Sequence, residues 1–205
     1  WGDYFTKMET LWASGDSAAI PDVLFLWPTP KYAAQGVLED LAPFIEKSGY
    51  SVEDYWPALL ESASYDGSIY GFPRDIEVNI LYYNKDMFKA AGLDPEKPPR
   101  TFAEFTEAAR ALTKQNADGT TTYGGAFAIY GWFFEQFLAV SGAEYVNNGN
   151  GRDALATAAT FNSPEGVAIM DWWKANLDEG ITTNFGRPTV DTRNAFLAGQ
   201  IAMFI

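Results

Sequence analysis

Residues 76–92 read IEVNILYYNKDMFKAAG, and this stretch indicates the fold class. Its first half, Ile76 to Tyr83, is rich in β-branched and aromatic residues and predicts a strand. Asn84 follows and can act as the N-cap of a helix over residues 85–91. Gly92 then suits the position that follows a helix C-terminus. A strand that leads directly into a capped helix is typical of α/β proteins.

Strand and helix patterns also alternate on both sides of this stretch. The apolar run Val23–Trp27 predicts a buried parallel strand, and residues 123–130 predict another strand. Thr101 and Glu104 match a capping box that opens a helix, and a further helix is predicted over residues 165–177. Strands that alternate with helices of this length predict an α/β fold with a largely parallel sheet.

The composition excludes several classes of function. The chain has 205 residues, 14 basic against 27 acidic, and a net charge of −13, which disfavours binding to nucleic acids and to anionic membrane surfaces. The chain has no His and no Cys, which excludes Ser-His-Asp and Cys-His catalysis, disulfides and thiolate-bound zinc. We therefore expect no cofactor, no metal and no catalytic nucleophile. No run of 18 apolar residues occurs, so the sequence predicts no membrane-spanning helix.

Polar side chains interrupt the apolar pattern in and before the predicted strand at Ile76. They are Arg74, Asp75, Glu77 and Asn79, and charged side chains are rarely buried without partners. One interpretation is an edge strand with a solvated face, on which Arg74 and Asp75 pair locally. The other is a strand that lines a cleft, with Glu77 and its neighbours hydrogen-bonded to a polar ligand. The sequence leaves both open.

Aromatic residues make up 16% of the chain, and several lie where α/β folds bind ligands. Tyr130 and Trp132 flank a glycine at a predicted strand-to-helix junction, the usual place for a site in such folds. Their rings combine an apolar face with a polar tip, which suits stacking on a sugar. We interpret Phe134 and Phe137 as helix core. For Trp27, at the end of a predicted strand, core and site both remain open.

A series of short segments extends along most of the chain. In order, they are PDV at 21–23, GVLEDL at 36–41, YGFP at 70–73, LYYNKDMF at 81–88, AGL at 91–93, PPRTFAEF at 98–105 and FLAGQIAM at 196–203. With these segments the chain resembles the family 1 extracellular solute-binding proteins of bacterial ABC importers, which include maltose-binding and glycerol-3-phosphate-binding proteins. The resemblance implies an α/β, two-lobed periplasmic-binding-protein fold of type II, here truncated at both ends.

The resemblance also implies a domain organisation. Residues 1–76 would form part of the N-terminal lobe, and residues 77–84 a hinge strand. Residues 85–198 would form part of the C-terminal lobe, and residues 199–205 would begin a strand that returns toward the N-terminal lobe. In such proteins the two lobes close on a ligand held in the cleft between them.

The function implied is that of the substrate-binding component of an ABC transporter. It would capture a sugar or related polyol in the inter-lobe cleft and deliver it to the transmembrane subunits of the importer, without being an enzyme. The resemblance further implies a monomer in the periplasm or outside the cell, and leaves lipid anchoring open. The alternatives are a glycoside hydrolase that uses paired carboxylates, for which Asp75, Glu77 and Glu135 are candidates, and a sensory binding protein without an importer.

The predicted ligand-binding residues combine both lines of reasoning. They are Trp27, Thr29, Arg74, Asp75, Glu77, Tyr130, Trp132 and Phe133. By resemblance, Glu77 matches an acidic residue that contacts sugar hydroxyls in the maltose-binding branch. The segment Pro28-Thr29-Pro30 departs from that branch, which has charged residues here, and this disfavours maltose itself. Arg74 instead suits a phosphate or carboxylate group, which a guanidinium binds through two parallel hydrogen bonds.

Overall fold

A computed structural model describes residues 2–16 and 18–205 of the chain. The chain divides into two units: the first ends at Glu77, and the second comprises Val78–Ile205. Within the two described ranges, no helix is both long enough and apolar enough to cross a membrane.

The first unit is built from short helices and one antiparallel hairpin. Its elements are α1 (Gly2–Ser14), α2 (Thr29–Ala34), α3 (Ala42–Ser48), α4 (Pro57–Ser62), β1 (Ser64–Tyr65) and β2 (Ser68–Ile69). Tyr32 is its most deeply buried aromatic residue. The Tyr32 ring packs against Trp12 at a centroid distance of 4.8 Å, and its hydroxyl donates a hydrogen bond to Glu9 at 3.0 Å. Helix α2 is thereby fixed against α1.

The strand predicted for the first unit is wrong. Residues Val23–Trp27 do not form a strand, and Val23 is 87% exposed. No strand in the described part of the chain pairs with this run, so its backbone lacks the ladder that defines a strand. Helix α2 begins at Thr29, because a proline at position 30 suits the first helical turn.

The second unit contains longer helices and the main sheet. Its elements are β3 (Tyr82–Tyr83), α5 (Lys85–Ala90), α6 (Phe102–Leu112), β4 (Lys114–Gln115), β5 (Thr121–Thr122), β6 (Gly125–Ala126), α7 (Gly131–Val140), α8 (Asn147–Gly151), α9 (Pro164–Asp178), β7 (Thr182–Thr183), α10 (Thr189–Leu197) and β8 (Met203–Phe204). The middle residues of α8, Asn148 to Asn150, have φ between 59° and 61° and so form a left-handed turn.

The main sheet has four strands in the order β3-β8-β6-β7. Strand β6 runs parallel to both β7 and β8, and β3 pairs with β8 in the antiparallel direction at one edge. The predicted, largely parallel sheet is therefore confirmed. The strand predicted over Ile76 to Tyr83 is correct only for its last two residues, because Ile76, Val78 and Ile80 are more than half exposed and lie outside the ladder.

An aromatic core joins the helices of the second unit to this sheet. Phe127 lies at its centre, with its ring 5.1 Å from that of Phe105 and 5.8 Å from that of Phe137. Backbone contact is also close: a methyl group on Gly124 would lie only 2.1 Å from the carbonyl oxygen of Ala109. The chain that enters β6 therefore packs directly on α6, and only glycine fits at this point.

Local hydrogen bonds define where α5 and α6 begin. The side chain of Asn84 accepts hydrogen bonds from the backbone N–H groups of Asp86 at 3.0 Å and Met87 at 3.1 Å. Thr101 and Glu104 form the predicted capping box, in which each side chain accepts from the other residue's backbone N–H. The sequence predictions for both helix starts are confirmed.

Candidate functional site

In the first unit, Trp27 lies on the surface against other aromatic rings. It is 52% exposed, and its ring contacts Phe5 edge-to-face at 4.7 Å and Phe25 at 6.4 Å. The two neighbouring rings fix its orientation while half of the residue stays accessible. The structure therefore favours the surface interpretation of Trp27 over the core one. Such a ring offers an apolar face to a ligand.

Arg74 and Asp75 belong to the same surface cluster as Trp27. The guanidinium of Arg74 lies over the ring of Phe25, 4.3 Å from its centroid. Its Nε donates a hydrogen bond to Oδ2 of Asp75 at 3.0 Å, and its Nη2 donates a second hydrogen bond to the same oxygen. The local pairing of Arg74 with Asp75 is thus present. Both side chains are more than half exposed, so the pair itself contributes little stability.

The other two predicted residues of the first unit lie in different environments. Thr29 is only 5% exposed, in the first turn of α2, and does not offer its side chain to the surface. Glu77 is exposed and forms no hydrogen bond or ion pair with any residue that the structure describes. The structure therefore brings Trp27, Arg74 and Asp75 together, and leaves Thr29 and Glu77 outside that cluster.

In the second unit, a groove of about 340 Å³ lies beside the edge of the main sheet. Three groups of residues line it: the chain that enters β3, the start of α7, and α10 with the end of β8. They are Val78, Asn79, Ile80, Tyr82, Trp132, Phe133, Thr189, Val190, Arg193, Phe204 and Ile205. The groove is therefore mostly apolar, with few polar groups, as is common for small-molecule sites.

The predicted aromatic residues 130, 132 and 133 lie at or beside this groove. Trp132 and Phe133 both line it, with their rings edge-to-face at 5.4 Å. Phe133 is 3% exposed and also belongs to the core, so it anchors the wall that Trp132 extends. Tyr130 is the N-cap of α7, and its ring lies 6.5 Å from that of Phe133. The guanidinium of Arg187 covers one face of Tyr130 at 4.8 Å.

Four lining residues with polar side-chain groups were not among the predicted site residues: Asn79, Tyr82, Thr189 and Arg193. The side-chain Nδ2 of Asn79 is buried and has no hydrogen-bond partner among the described residues. Arg193 forms no hydrogen bond or ion pair within ranges 2–16 and 18–205. An amide within an apolar run was a usable signal for Asn79. No local signal marks Arg193, because the packing of α10 decides where it lies.

Carboxylates are absent from the described lining of this groove. Burial raises the pKa of the Glu135 carboxyl on α7, but Glu135 is not one of the lining residues. The described residues also contain no group of three His, Cys, Asp or Glu side chains placed to hold a metal ion. The groove can therefore stack a ring, donate hydrogen bonds and attract an anion.

The second unit thus combines a mixed parallel and antiparallel sheet with an aromatic groove beside its edge, and concave sites with aromatic lining are common for small molecules. The profile of the bacterial extracellular solute-binding protein family matches residues 1–205. The chain belongs to this family, which confirms the resemblance noted in the sequence.

Two curated relatives show how much of such a protein this chain represents. It is 35% identical over 175 residues to the sn-glycerol-3-phosphate-binding periplasmic protein UgpB of Brucella abortus strain 2308, covering 83% of this chain and 40% of the relative. It is 34% identical over 143 residues to UgpB of Escherichia coli K12, covering 69% of this chain and 32% of the relative. The chain thus spans less than half the length of these relatives.

Solved structures share its fold. The ABC transporter associated binding protein from B. animalis subsp. lactis Bl-04, in complex with β-1,6-galactobiose, has a TM-score of 0.74 at 26% identity, covering 98% of this chain and 47% of that one. A solute-binding protein from Thermotoga lettingae TMO, bound with α-D-tagatose, has a TM-score of 0.73 at 25% identity, covering 98% and 50%. These similarities confirm the predicted type II fold.

Proposed function

We propose that the protein is the substrate-binding component of an ABC importer, which captures a sugar or related polyol and delivers it to the membrane permease. The observation that carries this proposal is the groove in the second unit, where Trp132 forms an accessible wall on the buried anchor Phe133. The names of the similar proteins support the same ligand class: they bind a hexose, a disaccharide or glycerol 3-phosphate.

The groove suits a polyhydroxylated ligand for a physical reason. The C–H face of a sugar ring stacks on an indole, while its hydroxyl groups require hydrogen-bond partners once water is removed. Trp132 supplies the first requirement, and the unpartnered Nδ2 of Asn79 supplies a donor for the second. Binding would satisfy an amide that is otherwise buried without a partner.

The first unit adds a second set of proposed contacts. The exposed half of Trp27 supplies a further aromatic face, and the Arg74–Asp75 pair supplies charged hydrogen-bonding groups beside it. Glu77, exposed at the end of this unit, is proposed as an acceptor for hydroxyl groups. Thr29 stays a prediction, and its burial argues for a structural role.

The proposal includes the absence of catalysis and an extracytoplasmic location. The family comprises extracellular solute-binding proteins, and the chain has no His or Cys to serve as a nucleophile or its base. The described lining of the groove has no pair of carboxylates, which glycoside hydrolysis requires. We propose a monomer, free or lipid-anchored, whose partner is the transmembrane part of an importer.

A tryptophan-fluorescence titration tests this proposal. The protein is titrated with monosaccharides, disaccharides, polyols and glycerol 3-phosphate, and the ligand is recovered and identified afterwards. We expect saturable binding of at least one ligand, recovered unchanged. Trp132→Ala should weaken that binding roughly tenfold or more, since an aromatic contact contributes about 0.5–1.5 kcal/mol beyond the area it buries.

The matched control is Trp56→Phe, because Trp56 is 66% exposed and belongs to none of the proposed contacts. It should bind like the wild type. Recovery of a cleaved glycoside would favour the hydrolase alternative. Absence of binding to every ligand in the panel would refute the proposal.

A further inference from the structure

The two Asn-Gly dipeptides of the sequence lie side by side, at residues 148–149 and 150–151. Both belong to α8, whose middle residues form the left-handed turn. An asparagine that precedes glycine is prone to spontaneous deamidation, because glycine has no side chain to obstruct the backbone nitrogen that attacks the amide. The turn therefore brings both reactive dipeptides of the chain together, outside the groove and outside every proposed ligand contact.

The turn itself favours these residue types. Gly149 has a φ of 61°, and a methyl group there would lie 2.7 Å from Oδ2 of Asp153. Asn148 and Asn150 have a φ of 59°, and asparagine is among the few residues other than glycine that adopt this conformation readily. The backbone shape and the reactive sequence are therefore one feature of the chain.

The folded turn holds both asparagines in an unreactive geometry. Ring closure requires the nitrogen of the next residue to lie on the same side of the Cα–C bond as Cβ. The ψ angles are 51° at Asn148 and 38° at Asn150, and for an L-residue these values direct that nitrogen almost opposite to Cβ. Deamidation of the native protein therefore requires local opening of the turn, which costs less than global unfolding.

The two asparagine side chains are held by different numbers of hydrogen bonds. Oδ1 of Asn150 accepts from the backbone N–H groups of Tyr145 at 2.7 Å and Val146 at 3.1 Å. Among the described residues, Asn148 makes one side-chain hydrogen bond, from Nδ2 to the carbonyl oxygen of Leu155 at 2.9 Å. Each side chain must leave its partners before it can turn toward the following glycine. Asn148 has fewer hydrogen bonds to break.

We propose that Asn148 is a site of spontaneous deamidation in the native protein and that the turn protects Asn150. The backbone nitrogen of Gly149 loses its proton to hydroxide and attacks Cγ of Asn148. The bond from Cγ to Nδ2 then breaks, and the nitrogen leaves as ammonia after taking a proton from water. Water opens the resulting succinimide to aspartate or isoaspartate. The overall reaction consumes a water molecule, releases ammonia and needs no other reactant.

The product should loosen the loop that follows the turn. A carboxylate oxygen at position 148 would face the carbonyl oxygen of Leu155, to which Nδ2 of Asn148 now donates, and two acceptors cannot form a hydrogen bond. Asn147 would keep its own bonds, in which Oδ1 accepts from the N–H groups of Thr157 and Ala158. We therefore expect the loop to open locally while its far end stays attached.

Peptide mapping by mass spectrometry tests the proposal. The folded protein is incubated in mildly alkaline buffer, and the aspartate and isoaspartate formed at each asparagine are measured over time. We expect Asn148 to react roughly three- to tenfold faster than Asn150, which is the factor that one additional hydrogen bond provides. In concentrated urea the turn is absent, so both should react faster and at similar rates.

Variants connect the reaction to the turn. Asn147→Ala removes the acceptor for Thr157 and Ala158, so it should accelerate reaction at Asn148 in the folded protein and leave the rate in urea unchanged. Asn148→Asp supplies the product directly, and the amides of residues 153–158 should exchange roughly three- to tenfold faster with solvent. Asn162→Asp is the control, because it adds the same charge at an exposed residue outside α8; its exchange should match the wild type.

Each outcome decides the proposal. Equal reaction at the two asparagines in the folded protein, or faster reaction at Asn150, would overturn the assignment to Asn148. Reaction in urea with none in the folded protein would show that the turn protects both residues, and would also overturn it. Wild-type exchange in Asn148→Asp would refute the effect on the loop. The proposed solute-binding function does not depend on any of these results.

Discussion

Replacing Gly124 with Ala should destabilise the second unit, because the chain that enters β6 lies against the backbone of α6. The added methyl carbon would lie 2.1 Å from the carbonyl oxygen of Ala109 and 2.3 Å from its Cα. Neither atom can rotate away, since both belong to the backbone of α6 on its buried face. The N–H of Gly124 also donates hydrogen bonds to Ile181 at 3.0 Å and to Thr113 Oγ1 at 2.8 Å, which resist a shift of the strand.

The size of the effect follows from these contacts. Overpacking of a well-packed core costs about 1–3 kcal/mol, and loss of a hydrogen bond adds about 1 kcal/mol. We expect a loss of roughly 3 kcal/mol for Gly124→Ala, which is about a hundredfold change in the folding equilibrium. Urea denaturation followed by circular dichroism should show a midpoint lower by roughly 1–3 M.

Gly131→Ala provides the matched control. A methyl group at Gly131 would have no heavy atom within 4 Å, so its stability should change by less than about 0.5 kcal/mol. Because a chain with two units can unfold in more than one step, hydrogen exchange of amides in Val78–Ile205 should report the second unit separately. Wild-type stability in both variants would refute the close packing of β6 on α6.

Two further predictions concern local interactions of α6. Thr101→Ala removes the hydroxyl that accepts from the N–H of Glu104 and should cost about 1 kcal/mol in urea denaturation, whereas Thr101→Ser should retain the cap; equal losses in both would contradict the capping role. The hydrogen bond from the Arg110 guanidinium holds the pKa of the Glu179 carboxyl below its ordinary value of 4.5. The pair should therefore stabilise the fold at pH values above about 4.5. This stabilisation should be lost as the pH falls through the lowered pKa. In a plot of the urea midpoint against pH, the midpoint of Glu179→Gln should therefore fall less steeply at acidic pH than that of the wild type. Parallel curves for the two proteins would disprove the assignment.

The starts of α5 and α6 were predictable from the sequence because the hydrogen bonds that define them are local. Asn84 accepts from N–H groups two and three residues later, and the capping box joins Thr101 to Glu104. These bonds join residues no more than three positions apart, so the pattern that predicts them lies within a short stretch of sequence. The identities of four consecutive residues are therefore enough to predict where each of these helices begins.

Strands were less predictable because their partners are distant in the sequence. The apolar run Val23–Trp27 has the composition of a buried strand, yet it has no pairing partner in the described structure. In the run that begins at Ile76, Tyr82 and Tyr83 are paired, and their partners are Phe204 and Met203. Composition indicates which residues can form a strand, and the topology decides which of them do.

The candidate site shows the same difference between features set by local sequence and features set by distant packing. Trp132 was selected because it lies at a strand-to-helix junction that is visible in the sequence. The structure places it in the groove lining, and its role in ligand binding stays a prediction. Arg193 lies within a helix, and no local pattern distinguishes it from the other arginines on the surface. Its place in the groove depends on how α10 packs against β8.

The strand order of the main sheet affects how the second unit acquires its structure during synthesis. Strand β8 lies between β3 and β6. The ladder of β3, in which Tyr82 pairs with Phe204, therefore cannot form until β8 is present. A chain emerging from the ribosome therefore carries β3 unpaired until almost all of this unit is available. Such late, non-local pairing is slow, so the main sheet closes only after the described helices of the second unit have been synthesised.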